Sequence, residues 1–441
     1  MRIILAFWSI FIALVASAQE QATLTSQGLE SVRPRMVPYT CVADAKSGLV
    51  SGCTSRYAID LTEWNTVKGE SGISYTSHFA VNVDWLNRQV LLRVGFADKA
   101  LRVVVNGREV GYIACGAYGS ELNITKSVHE GRNEVQLIAD NHCEANRLFN
   151  ATSQIKGVKK SDIANVEVLC QPTIRLRDVI SRTRLNSVGD GVVEVAVPIK
   201  CDALNRKTAR IHYTLRLNDT TVVADGYHDI SLAMRAEDTL RFTTPLPKNM
   251  LWSATSPVLL QLDIENRIEN RVAECVGRMV AFRAQEIKGD KLYINGTPVA
   301  LRLAEWGAVT NLDEVVKFGY NGIVIDCGYG FEKVIAECEK RGLYVVVRAP
   351  IDTISLGEDI RKGGNPTNDP RWGEAFAERC AGIVNATKGS GAVVGYMLGK
   401  GKTCGVNIYD SYLLVKSLAT DHIIIYEGAN GEWCSDRVPI R

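Results

Sequence analysis

Four carboxylates in the last third of the chain, Glu305, Asp326, Asp352 and Glu427, each fall at or just past the C-terminal end of a predicted strand. Side chains so placed can be brought together from different strands and could serve as a general acid and base pair. The plainer reading is solvated loop carboxylates, remnants of an older pocket, and it is the reading adopted. Gly399-Lys-Gly-Lys-Thr403 also follows a predicted strand. A phosphate-cradling loop of the form G-x-x-x-x-G-K-[ST] needs its first glycine at position 396, which is Tyr396, so this run is expected to be a βα loop. The 12 cysteines run from Cys41 to Cys434 with no C-x-x-C pair and no ligand-like histidine spacing, which argues against a structural zinc site. No metal and no cofactor are expected. Lys plus Arg is 51 against 49 for Asp plus Glu, and a net charge of +2 gives no field for nucleic acid or acidic lipid.

The elements that must position these residues change character along the chain. From about Tyr57 to Cys170 short alternating runs such as Gln89–Val94 and Leu101–Val105 are broken by turn residues. Asn106-Gly107 joins Leu101–Val105 to Arg108–Tyr112, and an Asn-Gly pair there favours a type I′ hairpin because both residues need positive φ. Residues 57–170 are therefore expected to form a jelly-roll β-sandwich. The alternation returns at Val192–Val197, Ile211–Leu217 and Leu259–Ile264, and the length of 171–285 suits an immunoglobulin-like sandwich.

After a second Asn-Gly pair at Asn295-Gly296, apolar strands alternate with amphipathic helices, the pattern of parallel βα units. Asn311 caps a helix over Leu312–Phe318 that Gly319 stops. A strand Gly322–Asp326 follows, then a helix with Phe331, Val334, Ile335 and Cys338 on one face, ended by Gly342. The run Leu343–Val347, a helix from Trp372, a strand Ala392–Leu398, a helix near Ser411–Ala419 and a strand His422–Tyr426 complete the series. A full (β/α)₈ barrel takes about 250 residues. The 145 positions from 297 to 441 hold about five strands, so residues 286–441 are expected to be an incomplete TIM barrel with open edges.

Residues 1–18, with Arg2, an apolar run Ile3–Val15 and Ala16-Ser17-Ala18, read as a cleaved secretory signal, placing the chain in the periplasm or outside the cell. The run is shorter than the roughly 20 residues of a membrane-spanning helix, so no membrane embedding is expected. Residues 19–56 form an N-terminal segment, and export permits disulfides such as Cys41 with Cys53.

The order jelly roll, immunoglobulin-like sandwich and βα barrel resembles glycoside hydrolase family 2, the β-galactosidase-like enzymes. Local motifs carry the resemblance across nearly all of residues 57–441. Leu101–Gly111, Glu121–Thr125 and Gly131–Val135 look like the family's sugar-binding domain, and Leu251-Trp252 with Pro257 looks like its strand before the barrel. Arg283–Ile287 with Leu292–Arg302 is the most specific stretch, and Asn368–Trp372 and Tyr426–Ala429 agree. The resemblance implies a β-linked oligosaccharide or glycan as partner.

The departures bear on function. The family's strand ending Gly-Asn-Glu delivers the general acid/base, whereas here Val394–Gly401 puts Lys400 at the Asn and Gly401 at the Glu. Val324 stands at the family's second-strand Arg, Val347-Arg-Ala-Pro350 replaces Asp-Glu-Ala-Asn, Gly389-Ser-Gly391 replaces Asn-His-Pro, and Glu305-Trp306 stands where an Asn precedes basic residues. The family's nucleophilic Glu lies on a later strand that this sequence does not include. Trp64 and Trp306 could stack on a sugar, although a Trp in a sandwich is more often core. The expectation is an exported protein of carbohydrate metabolism that keeps no catalytic residue and at most binds glycan. Its rivals are an active glycosidase using displaced carboxylates such as Glu305, Asp326, Asp352 or Glu427, and a gene fragment or structural subunit. In that last case the open barrel edges pair with a partner chain or another copy.

Overall fold

The computed structural model describes residues 24–51, 54–70, 72–149, 162–358, 361, 364–429 and 433–440. The expected secretory signal lies outside the described residues.

Strands between Ala58 and Gln171 form two antiparallel sheets. One, of four strands, runs Ala58–Asp60, Ile163–Gln171, Gln89–Ala97, Ser120–Asn123. The other, of five, runs Asn65–Lys68, Gly72–Val81, Gly131–Asp140, Leu101–Val105, Arg108–Ile113. Every second residue of Gly131–Asp140 points inward, so Val135, Leu137 and Ala139 meet Val90, Leu92 and Val168 of the facing sheet in one core. Asn106 and Gly107 have φ of 49° and 77°, as the hairpin chemistry requires.

Strands between Ile174 and Val280 build a second pair of antiparallel sheets. Gly191–Cys201 is flanked by Ile174–Leu176, Ile180–Leu185 and Glu237–Leu246; the facing sheet runs Val222–Leu232, Lys207–Arg216, Leu260–Ile268, Arg271–Val280. Val193, Val195, Ile211, Leu262 and Val276 fill the space between them.

The third region is a parallel sheet of five strands in chain order: β1 (Leu303–Glu305), β2 (Gly322–Asp326), β3 (Tyr344–Arg348), β4 (Val393–Met397) and β5 (Ile423–Ile425). The helices are α1 (Leu312–Lys317), α2 (Phe331–Arg341), α3 (Gly373–Thr387) and α4 (Val406–Leu418). Asn311 accepts the Asp313 N–H to cap α1, while Gly319 and Gly342 take φ of 79° and 71° where α1 and α2 end. Helix α4 begins five residues before the expected Ser411. Its first turn carries one polar residue, Asn407, which is buried and donates to Pro366 O and Asp369 O, and the Ser411 hydroxyl donates to Asn407 O. Local backbone thus satisfies polar groups that pattern alone assigns to a loop.

The N-terminal segment, read only as a connector, contains the helix Val42–Ser51 and locks the two sandwiches together. Arg33 is buried and donates from Nε to both Glu121 oxygens, from Nη1 to Leu176 O and Arg177 O, and from Nη2 to Gln171 Oε1. Arg175, also buried, joins Glu30 at 2.8 Å to Asp202 at 2.6 Å. Below the barrel, Gln285 Nε2 donates to Val394 O and Asp421 O, tying the sandwich exit to β4 and to the start of β5.

The open barrel edge, expected to pair with a partner chain or another copy, is covered at the last strand from within the chain: Ile423 and Ile424 are wholly buried, and residues 433–440 lie along that edge. Cys404 pairs with Cys434; Cys41 has no disulfide partner among the described residues, and Cys53 lies outside them.

Candidate functional site

The parallel register sets Glu305 beside Val324, Asp326 beside Arg348, and Arg348 beside Met397, so the C-terminal ends of β2 to β4 lie level and β1 ends opposite Val324, just short of them. At their centre stands Arg348, its side chain only 3% exposed. Its Nη1 donates to Asp326 Oδ1 at 2.6 Å and Glu305 Oε2 at 3.2 Å; its Nη2 donates to Glu305 Oε1 at 2.5 Å and Glu427 Oε1 at 3.4 Å. Lys400 Nζ donates to the second Asp326 oxygen at 2.7 Å. Burial by itself would lower the Arg348 pKa, but the hydrogen bonds it donates to Glu305 and the charges of Asp326 and Glu305 outweigh it and hold the guanidinium well above its ordinary value.

Three of the four carboxylates singled out in the sequence are therefore brought together, and the group that gathers them is a cation. Asp352 is not part of the cluster: its carboxylate accepts the Ile354 N–H at 3.0 Å, and its own N–H donates to Leu148 O. Trp306 packs half-buried against the barrel core, and its backbone N–H donates to Val324 O. Trp64 packs against the first sandwich core with Nε1 donating to Leu61 O, in keeping with the core reading.

Gly401, which the resemblance sets at the family's acid/base Glu, is closely surrounded. A Cβ built on Gly401 would overlap the Tyr426 hydroxyl and sit 2.5 Å from Thr353 Oγ1. Tyr426 is buried at the end of β5, and its hydroxyl donates to Thr403 O at 2.9 Å. Burial pushes its pKa up to about 12, against a smaller opposing effect of Thr353, so the phenol stays protonated at neutral pH. The cleft among Asp326, Arg348, Asp352 and Lys400 has room of about 10 Å³. That suffices for about one water molecule. Among the described residues no cluster of three or more His, Cys, Asp or Glu could hold a metal, and no helix is long and apolar enough to cross a membrane.

Sequence reasoning missed the roles of Arg348 and Tyr426. Arg348 was visible as the one charge at the end of an otherwise apolar strand, and that was the available signal. Tyr426 left none, because its contact with Gly401 joins the ends of two strands.

A β-rich front leads into parallel βα units with charged side chains at the C-terminal ends of the strands, the face at which barrel proteins hold their sites. The comparisons agree. A family model described as "Glycosyl hydrolases family 2, TIM barrel domain" matches residues 328–438. A β-galactosidase of Priestia megaterium is 23% identical over 378 residues, covering 80% of this chain and 36% of that relative. A β-galactosidase large subunit of Lactobacillus acidophilus is 25% identical, covering 80% of this chain and 58% of its own length. Among solved structures, a calcium-binding mutant of Bacteroides uniformis β-glucuronidase 2 superposes with a TM-score of 0.66 at 17% identity, over 91% of this chain and 53% of that one. A β-D-glucuronidase of Dictyoglomus thermophilum gives a TM-score of 0.64 at 16% identity, over 85% and 73%. Residues 328–438 match the barrel domain of glycoside hydrolase family 2, and the chain is similar to β-galactosidases over 80% of its length. It spans 36% and 58% of the lengths of those two curated relatives.

Proposed function

We propose that this chain is a β-galactosidase-like protein of carbohydrate metabolism whose barrel does not cleave glycosidic bonds and whose remaining dealings with glycans are binding. The observation that carries this reading is the closure of the acid/base position. A retaining glycosidase needs a proton donor and a nucleophile on carboxyl groups about 5–5.5 Å apart. Gly401 supplies no carboxyl, and Tyr426 with Thr353 fills the space in which a longer side chain would begin. Of the four strand-end acids, Glu305, Asp326 and Glu427 pair with Arg348, and Asp326 pairs also with Lys400.

In the same reading, strands 58–171 are a jelly-roll sugar-binding domain, strands 174–280 an immunoglobulin-like sandwich, and the five parallel strands part of a TIM barrel. Residues 1–18 direct export to the periplasm or beyond. The names of the relatives, β-galactosidases and β-glucuronidases, make a β-linked glycan the ligand class to test.

Purified protein is expected to show no turnover of aryl β-galactosides, β-glucuronides or β-mannosides, while calorimetric titration with β-linked oligosaccharides reads binding directly. Turnover that survives repurification and vanishes in Glu427→Ala or Asp326→Ala would overturn the reading in favour of displaced carboxylates.

A further inference from the structure

The outer edge of β5 is the place where a five-stranded parallel sheet should be weakest. In a strand, alternate residues direct their N–H and C=O groups to opposite neighbours. Here Leu398 N–H donates to Ile425 O on the β4 side, so the groups of Ile424 face away from the sheet. Unpaired, they would form a template for another strand. They are paired instead by a segment without regular structure. Ile424 N–H donates to Asp436 Oδ2 at 2.9 Å, and Asp436 N–H returns a bond to Ile424 O at 2.7 Å. Tyr426 N–H donates to Ser435 Oγ at 3.3 Å.

The same segment then crosses to the other side of the sheet. Val438 and Cys434 are buried in the barrel core, and Ile440 forms a parallel bridge with Leu301, two residues before β1. Residues 433–440 thus lie across the gap between the last strand and the first.

Two anchors fix it. The Asp436 carboxylate accepts from Tyr412 Oη at 2.9 Å and from Lys416 Nζ at 2.9 Å, both on α4. The Cys404–Cys434 disulfide ties the segment to the loop before α4, with Trp433 meeting Tyr409 edge-on at 4.0 Å between ring centres. Cys434 is wholly buried and Cys404 partly exposed, so an incoming thiolate meets Cys404 first.

We infer that residues 433–440 are a strap that closes the five-stranded sheet, locked by the Cys404–Cys434 disulfide and opened by thiol–disulfide exchange. In that exchange a dithiol attacks Cys404 Sγ as its thiolate, breaking the Cys404–Cys434 bond and releasing the Cys434 thiolate. The second thiol of the reagent, as thiolate, closes on the first and expels the Cys404 thiolate. Two electrons pass from the dithiol, which leaves as a cyclic disulfide, and both cysteine sulfurs take up protons. Only non-covalent contacts then hold the strap, chief among them the hydrogen bonds of Asp436, and a covalent tether has become a fluctuating one. Oxidising surroundings keep the sheet closed, and reducing ones uncover the β5 edge.

The test is hydrogen exchange on the full chain, read by fragment mass spectrometry, with free thiols titrated first. In the oxidised protein the amides of Ile424 and Tyr426 are expected to exchange slowly. Dithiothreitol, or the double substitution Cys404→Ser with Cys434→Ser, should accelerate them at least tenfold while Val345–Val347 of β3 keep their protection. Asp436→Ala with the disulfide intact should accelerate Ile424 alone among these positions. Unchanged exchange at Ile424 and Tyr426 after reduction overturns the inference. So does loss of protection that spreads to Val345–Val347, since the barrel would then be unfolding as a whole. A titration finding Cys404 and Cys434 free in protein prepared without reductant also overturns it.

Discussion

Replacing Gly401 by Ala tests whether the acid/base position is closed. Gly401 is not among the residues with positive φ, so an L-residue fits its backbone. At such a site Gly→Ala ordinarily stabilises a protein by about 0.4–1 kcal/mol, because the unfolded chain loses freedom. The surroundings predict the opposite sign. The new Cβ would overlap Tyr426 Oη and lie 2.5 Å from Thr353 Oγ1, and the buried tyrosine is held by its bond to Thr403 O. Overpacking of this kind costs about 1–3 kcal/mol. Tyr426→Phe removes the overlapping oxygen and leaves Cζ at 3.3 Å, at the loss of one hydrogen bond worth about 1 kcal/mol. The two substitutions should therefore be strongly coupled, the double variant costing less than the sum of the single ones by about 1–2 kcal/mol. Urea unfolding followed by the fluorescence of Trp306, Trp372 and Trp433 reads the transition that includes the barrel. A Gly401→Ala protein as stable as the parent or more so, or strictly additive substitutions, would refute the reasoning. The same physics says that Gly401→Glu alone creates no glycosidase, since its carboxyl could enter only by displacing Tyr426.

Two further perturbations probe the charges. Arg348→Met strands Glu305, Asp326 and Glu427 without their shared cation; breaking a buried pair costs about 3–5 kcal/mol, and the exposure of Glu305 and Glu427 with the continued help of Lys400 reduces the expected loss to about 2–3 kcal/mol by urea unfolding. At the sandwich junction, burial would raise the Glu30 pKa, but Arg175, Arg177 and Lys200 together hold it below its ordinary 4.5. A depressed folded-state pKa means stability that is fully present above about pH 4.5 and is lost as the pH falls through the folded value. Glu30→Gln should thus lower the urea midpoint at neutral pH and flatten its decline in acid; a parallel decline in both proteins would contradict the linkage.

The fold was legible wherever one residue's conformational demand settles the question locally. Asn106-Gly107 and Asn295-Gly296 need positive φ and obtain it; Asn311 caps α1, and Gly342 ends α2. Alternation at Val192–Val197 and the buried stripe Phe331, Ile335, Cys338 likewise place the cores correctly. What escaped depends on partners distant in sequence. The start of α4 rests on Asn407 bonding to backbone some 40 residues earlier, and the clamp of Arg33 on Glu121 and Arg177 joins three separate stretches. The cover over β5 was missed because Asp436 sits in a segment with no strand or helix pattern, and only its bonds to Ile424 reveal its role. The four carboxylates were correctly placed at strand ends, yet composition could not say that one cation would claim three of them.

That cation also explains why the carboxylates stand where they do. Arg348 lies in β3 with its side chain buried, and a buried guanidinium must have acceptors around it or forfeit several kcal/mol. Asp326 on β2, Glu305 on β1 and Glu427 beyond β5 approach it from three directions, and Asp326 uses its other oxygen for Lys400. Removing any of these acids would weaken the neutralisation of Arg348, so their positions follow from the charge balance of the barrel interior without reference to bond cleavage. The Nε of Arg348 has no partner among the described residues, so even three carboxylates leave this guanidinium incompletely satisfied. Those three acids are thus engaged in neutralising Arg348, with Asp326 shared between it and Lys400.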